Sequence, residues 1–229
     1  MKKSKKIGLI VMPIVILGAL FLILFLFDHT FSFQSENDPD ISSLETNYNI
    51  LSSLNPTIVG TFDAPVTIIA FNDYQCQGCK TWYLNEYPKI VENLIEPKKA
   101  NLVFVDVIPI GNDSLLASEA TYCANEQEKY SEYQELLFNS QQEIDDGWAR
   151  SEQLKTFAMN LELDMESFKN CLDSGKYENQ VMSNVEYTKK NGVEKIPIFK
   201  IVNSEGKHHV IKGGNPSDVF ENIVNLLTQ

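Results

Sequence analysis

The chain has 229 residues, with 31 acidic side chains against 19 basic ones and a formal net charge of −12. A balance this acidic repels a phosphate backbone, which argues against a nucleic-acid partner. The length accommodates one cored domain, or one domain with an insertion, and four cysteines allow disulfides outside the cytoplasm.

Residues 1–6 carry four lysines, and residues 7–27 follow without a charge. At 1.5 Å per residue that apolar run is long enough to cross a hydrocarbon core of about 30 Å. A cleaved secretory signal has a shorter apolar stretch and ends at a small-residue site, which Asp28-His29-Thr30-Phe31 does not offer. The expectation is therefore a cytoplasmic tip at 1–6 and an uncleaved transmembrane anchor at 7–27. The lipid bilayer is a partner, and residues 28–229 lie outside the cytoplasm. Removing the four lysines of the tip leaves 15 basic residues against 31 acidic ones, a net charge of −16 on the exterior part.

Residues 28–56 are polar and broken by Asn, Asp, Ser and Pro, and read as a tether with at most a short helix near 43–54. Residues 66–71 are a continuous, largely β-branched apolar run ended by Asn72-Asp73, as expected of a strand buried on both faces. Cys79, Trp82, Tyr83, Tyr87, Ile90, Val91 and Leu94 then recur at three- and four-residue steps, which predicts a helix of about 17 residues. A second buried-type strand follows at 101–110. Strand, helix and strand of this kind form a right-handed βαβ unit with parallel strands.

Helical patterns alone run from 115 to 191: 115–141, 151–161, 165–173 and 177–191, with Ser151 and Asp164 as N-caps. The chain then returns to strands at 196–202 and 207–213 around the turn Asn203-Ser204-Glu205-Gly206, a hairpin, and closes with an amphipathic helix at 216–227. The fold class is thus α/β. Its βαβ and ββα parts span 57–114 and 192–229, and an all-helical insertion spans 115–191.

Cys76-Gln77-Gly78-Cys79 sits where the first strand turns into its helix. A thiol at the first turn of a helix sees unpaired backbone N–H groups, which favour thiolate. Two intervening residues bring the second sulfur within bonding distance, so the pair can alternate between dithiol and disulfide. Cys76, expected to be the more exposed, would exchange with partner sulfurs, and Cys79 would resolve the mixed disulfide. A zinc site needs two further ligands. Cys123 and Cys171 are remote and separate, and His208 and His209 point to opposite faces of a strand, so no metal and no cofactor is expected. A structural bridge over so short a loop stabilises little. The redox reading is preferred to both.

The segment APVTIIAFNDYQCQGCKTWYLNEYPKIVENLI, the element order and EKIPIFKI resemble the thioredoxin-fold, DsbA-like thiol oxidoreductases, in particular the membrane-anchored BdbD type of Gram-positive bacteria. The helical stretches ATYCANEQEKYSEYQELLFNSQ and SFKNCLDSG are similar to that family's inserted helical domain. The resemblance, over about 57–227, implies a membrane-anchored oxidoreductase that gives disulfides to newly exported or unfolded cysteine-containing proteins. It also implies reoxidation by a quinone-linked membrane partner. Cys76 is the implied nucleophile and Cys79 the resolving thiol. Pro197 matches the family's cis-proline, which would set the backbone of Ile196 against the disulfide to pair with an extended substrate. The chain departs from the pattern at Gln77-Gly78, where members often carry Pro or His, and at Ile196, where they carry Thr or Val. A reductase or isomerase with the same residues, or a non-catalytic binding module, remains the alternative.

Cys123 and Cys171 lie among apolar neighbours on two predicted helices. A structural disulfide between them is the favoured reading, and some similar family members carry this pair; two unlinked buried thiols are the alternative. Asp73 reads as a strand-end turn residue, with a proton acceptor or cation ligand as the rarer role. Trp82, Tyr83 and Trp148 read as packing residues, and Gly213-Gly214 as a strand end rather than a phosphate loop.

Overall fold

In a computed structural model of the chain, which describes residues 56–107 and 110–229, the expected α/β order is present. The anchor at 7–27, the tip and nearly all of the tether lie outside the described residues. Among the described residues no helix is long and apolar enough to cross a membrane. The strands are Ile58–Val59 (β1), Val66–Asn72 (β2), Ala100–Asp106 (β3), Ile198–Asn203 (β4) and His208–Lys212 (β5). They form one sheet in the order β1-β3-β2-β4-β5. The β2–β3 pair is parallel, with Ile69 beside Val103, and the other pairings are antiparallel.

Every residue of β2, β3 and β4 is buried, as their near-continuous apolar sequences require of strands covered on both faces. Alternation divides them cleanly. Ile68, Ala70, Leu102, Phe104, Phe199 and Ile201 enter the main core, while Ile69, Phe71, Val103, Val105, Ile198 and Val202 form a smaller cluster on the opposite face. The two-residue β1 had no sequence signal of its own, being too short to show a period.

The helices of the described residues are Gln77–Asn85 (α1), Tyr87–Ile90 (α2), Asp113–Asn125 (α3), Tyr130–Ser140 (α4), Ser151–Asn160 (α5), Met165–Asp173 (α6), Glu178–Lys190 (α7) and Ser217–Leu227 (α8). Three of the sequence expectations need correction. The single helix of about 17 residues after β2 is interrupted at Glu86 and continues as α2 and one π-helical stretch, Val91–Ile95. Pro88, in the first turn of α2, has no N–H to continue the ladder of α1. The single helix expected at 115–141 is two. Glu126-Gln127-Glu128-Lys129 offers no apolar side chain to the core; Glu128 takes a left-handed φ of 61°, and the Lys129 N–H closes on the Ala124 carbonyl. Ser151 is the first residue of α5, and Arg150 precedes it in the cap position without a side-chain bond. The Asp164 cap of α6 is present, accepting the Ser167 N–H at 2.8 Å.

Aromatic packing ties α1 to the sheet and to α8. The Trp82 ring lies 4.5 Å from Phe199, 5.8 Å from Phe220 and 6.1 Å from Tyr87 between centroids. Within the helical stretch between β3 and β4, Cys123 of α3 and Cys171 of α6 form a disulfide that closes a sequence separation of 48. Trp148 is buried in the same stretch.

Phe220→Ala, a truncation in a fully buried site, should cost about 3–5 kcal/mol in denaturant unfolding. Phe62→Ala, at a side chain 76% exposed, should stay within about 0.5 kcal/mol. Replacing both Cys123 and Cys171 by Ala should cost roughly 4 kcal/mol, the loop-closure entropy of a bridge of that span.

Candidate functional site

β2 ends at Asn72, and the chain turns through Asp73-Tyr74-Gln75 into α1. The turn is held by its own first residue: Asp73 accepts the Gln75 N–H on Oδ1 at 2.6 Å, and its carbonyl accepts the Cys76 N–H at 3.1 Å. Cys76 is thereby delivered in an extended conformation to the N-cap position of α1, where a Ser or Asp more often sits. Its Sγ accepts the Cys79 N–H at 3.0 Å and is bonded to Cys79 Sγ.

Cys76, expected to be the more exposed of the pair, is 3% exposed against 1% for Cys79, so both sulfurs are buried and the difference between them is slight. The exposed residues of the motif are Gln77 and Gly78. Cys76 is covered by the 196–197 segment. Its Sγ lies 3.8 Å from the Ile196 carbonyl oxygen, and the Ile196–Pro197 peptide is cis. Pro197 packs under the motif so closely that a Cβ on Gly78 would stand 3.2 Å from its Cδ. The Pro197 carbonyl accepts the Gly213 N–H at 2.8 Å, which fixes this segment to the end of β5. Cys76, Cys79, Ile196 and Pro197 are therefore brought together. Cys123 and Cys171 form a separate bridge in the helical stretch, and His208 and His209 lie on β5. Among the described residues no group of three or more His, Cys, Asp or Glu is arranged to hold a metal ion.

Beneath the turn lie two buried carboxyl groups. Asp73 accepts the Ser114 hydroxyl at 2.9 Å as well as the Gln75 N–H, and Asp106 at the end of β3 accepts Asn72 Nδ2 at 3.0 Å. Burial pushes each carboxyl up to about 7, against the hydrogen bonds that pull it down. Each is also raised by a neighbouring acid: Asp145 acts on Asp73, and Asp73 on Asp106. The turn role expected of Asp73 is present. Its bond to Ser114 adds a link to α3 that the sequence did not announce.

Gln75 extends that link. Its Nε2 donates to Ser114 Oγ at 3.1 Å and to Asp145 Oδ1 at 3.0 Å, while its Oε1 accepts the Asp145 N–H at 2.6 Å. Gln141 donates from Nε2 to the Tyr74 carbonyl at 2.6 Å, and its own carbonyl accepts Lys80 Nζ at 3.0 Å. The sequence alone singles out none of Gln75, Asp106, Ser114, Gln141 and Asp145. These pairings join residues up to 70 apart, and the only sequence hint was polar side chains crowded between apolar runs.

The arrangement suits disulfide exchange: a buried sulfur pair with a helix N-terminus aimed at one sulfur and a backbone carbonyl beside it. A family model described as thioredoxin matches residues 52–223. Disulfide bond formation protein D of Bacillus subtilis is 27% identical over 147 residues, which cover 63% of this chain and 66% of that protein. A probable disulfide bond formation protein D of Bacillus anthracis is 29% identical over 144 residues, 61% of this chain and 66% of that protein. The matches thus span just under two thirds of these relatives' own length. Among solved structures, oxidised BdbD from Bacillus subtilis superposes with a TM-score of 0.68 at 26% identity, covering 78% of this chain and 95% of that one. Wolbachia pipientis α-DsbA1, at 23% identity and a TM-score of 0.66 over 76% of this chain and 90% of that one, shares the fold.

Because both buried carboxyls bind protons more tightly folded than unfolded, they stabilise the fold fully below about pH 4, and that contribution is lost as pH rises toward 7. The melting temperature should therefore fall between pH 4 and 7. Asp106→Asn, which removes one of the two titrations, should flatten that slope, with a gain at pH 8 of on the order of 4 kcal/mol at most. An unchanged slope in calorimetry would show that Asp106 is ionised in the fold.

Proposed function

This chain belongs to the thioredoxin family, and we propose that it is a thiol–disulfide oxidoreductase of the DsbA-like, BdbD type that introduces disulfides into exported proteins. The observation that carries the reading is the Cys76–Cys79 disulfide, set on the N-terminus of α1 against the cis Ile196–Pro197 segment. The thioredoxin-fold part is taken as 57–114 and 192–229, with the helical insertion at 115–191.

In the proposed cycle a client thiolate attacks Cys76 Sγ. The Cys76–Cys79 bond breaks, Cys79 leaves as the thiolate, and client and Cys76 are joined in a mixed disulfide. A second client thiolate then attacks the client sulfur of that bond and expels Cys76 as thiolate. The client has lost two electrons and gained a disulfide, and Cys76 and Cys79 have gained those electrons. The N–H groups at the start of α1, that of Cys79 among them, favour the charge on Cys76 when it leaves. The free edge of the 196–197 segment, with the Ile196 carbonyl beside the sulfur, would hold the client backbone.

The apolar run at 7–27, preceded by four lysines, supports anchoring in the plasma membrane with the catalytic part outside the cytoplasm. In that compartment the reduced pair needs an oxidant, and a quinone-linked membrane protein is the partner the resemblance supports. The net charge of −16 on the exterior part disfavours a nucleic-acid partner.

Two measurements on the full chain test this reading. Cys79→Ser should accumulate mixed disulfides with client proteins through Cys76, separable under non-reducing conditions, while Cys76→Ser should form none and lose oxidation altogether. Titration against glutathione buffers, with alkylated Cys76 and Cys79 scored by mass apart from Cys123 and Cys171, should give a potential near about −120 mV for a disulfide donor. A value near about −270 mV would instead identify a reductant.

A further inference from the structure

Gln75, the residue before Cys76, has both polar atoms of its side chain turned to the helical stretch. Nε2 donates to Ser114 Oγ and to Asp145 Oδ1, Oε1 accepts the Asp145 N–H, and the residue is 1% exposed. Its backbone N–H is held as well, by Asp73 Oδ1. The Asp145 carboxyl that receives Gln75 is itself seated by the start of α3. The Asp113 N–H donates to its Oδ1 at 3.1 Å and Asn112 Nδ2 to its Oδ2 at 3.0 Å, while the Gly147 N–H returns to Asp113 Oδ2 at 2.9 Å. The bonds from Gln75 and from the Asp113 N–H hold this carboxyl below the usual carboxylate range, so the acceptor is ionised at neutral pH. The fit is close: a Cβ on Gly111 would collide with Gln75 Nε2 and Asp145 Oδ1, so no larger residue enters where the chain approaches α3.

What this lock does differs between the two redox states. In the disulfide, the bond to Cys79 Sγ itself fixes Cys76 Sγ at the start of α1. Once that bond is broken, the task of keeping the sulfur over the Cys79 N–H, where thiolate is favoured, falls to the backbone on either side of Cys76. On one side is α1. On the other is the turn Asp73-Tyr74-Gln75, ending in the side chain that Ser114 and Asp145 hold. Gln77 and Gly78 bring no charge to the sulfurs, so the helix terminus has to be met accurately.

We propose that Gln75 is a positioning residue for Cys76 that acts on the reduced state: its bonds to Ser114 and Asp145 keep the Cys76 thiolate on the N-terminus of α1 after the disulfide has opened, and so make the pair more oxidising. The inference rests on the exchange reaction proposed above. A restraint that the disulfide duplicates but the dithiol needs favours the reduced form relative to the oxidised one. A stabilised reduced form is what makes a dithiol pair a strong oxidant.

The test equilibrates the full chain with glutathione buffers, scoring Cys76 and Cys79 apart from Cys123 and Cys171. In that reaction the pair takes two electrons and two protons from two glutathione thiols, which leave as one glutathione disulfide. Gln75→Ala should shift the equilibrium about tenfold toward the Cys76–Cys79 disulfide, a potential lower by about 30 mV, as expected for one hydrogen bond lost from one redox state. The Cys76 thiol of that variant should also ionise at higher pH when thiolate absorbance is followed. Gly111→Ala, which alters no group that bonds a sulfur, should shift the equilibrium in the same direction, and the two substitutions together should go no further than the larger alone, because both open one lock. Asp145→Asn, which keeps an Oδ1 acceptor for Gln75, should stay within about twofold of the wild type. If Gln75 only supports the fold, Gln75→Ala and Gly111→Ala lower the urea midpoints of the oxidised and reduced chains alike and leave the glutathione equilibrium in place. That result, or a shift toward the dithiol, overturns the proposal while the exchange reading stands. A wild-type pair that glutathione does not reduce at all overturns the exchange reading itself, and the role of Gln75 with it.

Discussion

The Cys79 N–H pointing at Cys76 Sγ from 3.0 Å is the contact on which the rest of the site depends. It exists because β2 stops at Asn72 and a three-residue turn brings Cys76 to the cap of α1. At that cap position a side chain meets the unpaired N–H groups of the first turn. The helix is held in turn by Trp82, whose ring is wedged among Phe199 of β4, Phe220 of α8 and Tyr87 of α2. The same β4 begins directly after the cis Ile196–Pro197 bond. Both halves of the site are thus referred to one aromatic cluster, which sets the distance from the sulfur to the Ile196 carbonyl.

The buried polar layer under the turn is a cost that this geometry imposes. Asp73 must sit at the strand end to bond the Gln75 N–H, and the strand end is covered by α3. Asp73 has Ser114 besides the turn N–H, and Asp106 has Asn72, yet Oδ2 of Asp73 remains without a partner. An uncompensated buried carboxylate is expensive, and protonation is the way out, which is why both groups titrate near 7. The layer contributes position more than stability: it links β2, β3, α3 and the loop before α5 through a few directed bonds.

The parts of the fold legible in the sequence are those with a sufficient run of one period. β2 and β3 were visible as continuous apolar stretches, α6 was readable from its Asp164 cap and its 3.6-residue spacing, and the hairpin was visible from its turn residues. The cysteine pair was legible because its spacing and its place at a strand-to-helix junction are both local. What could not be read is what depends on distant partners. The break after Asn125 is set by which side chains find a core, and the Gln127 side chain there bonds the backbone of Asp164 on both sides. The burial of Cys76 is set by the Ile196–Pro197 segment, more than a hundred residues on. The hold of Gln75 on Asp145 involves two ordinary surface-type residues whose pairing only the folded chain reveals.

The motif's own dipeptide sharpens what the surroundings must do. Gln77 and Gly78 bring no charge to the sulfurs, and Lys80, the nearest cation along the helix, is turned to the Gln141 carbonyl. In the proposed exchange a thiolate on Cys76 would thus be favoured chiefly by the helix terminus, an effect of about 0.3–1 kcal/mol at an exposed site and up to about 2 kcal/mol when partly buried. Burial of the sulfur opposes it. An ionised Asp73 three residues away would oppose it further, so a carboxyl kept neutral up to about pH 7 removes a negative charge where the thiolate has to form. On this account the burial of Asp73 and the chemistry of Cys76 belong together: the turn that places the sulfur on the helix is held by a carboxyl whose charge the same burial suppresses.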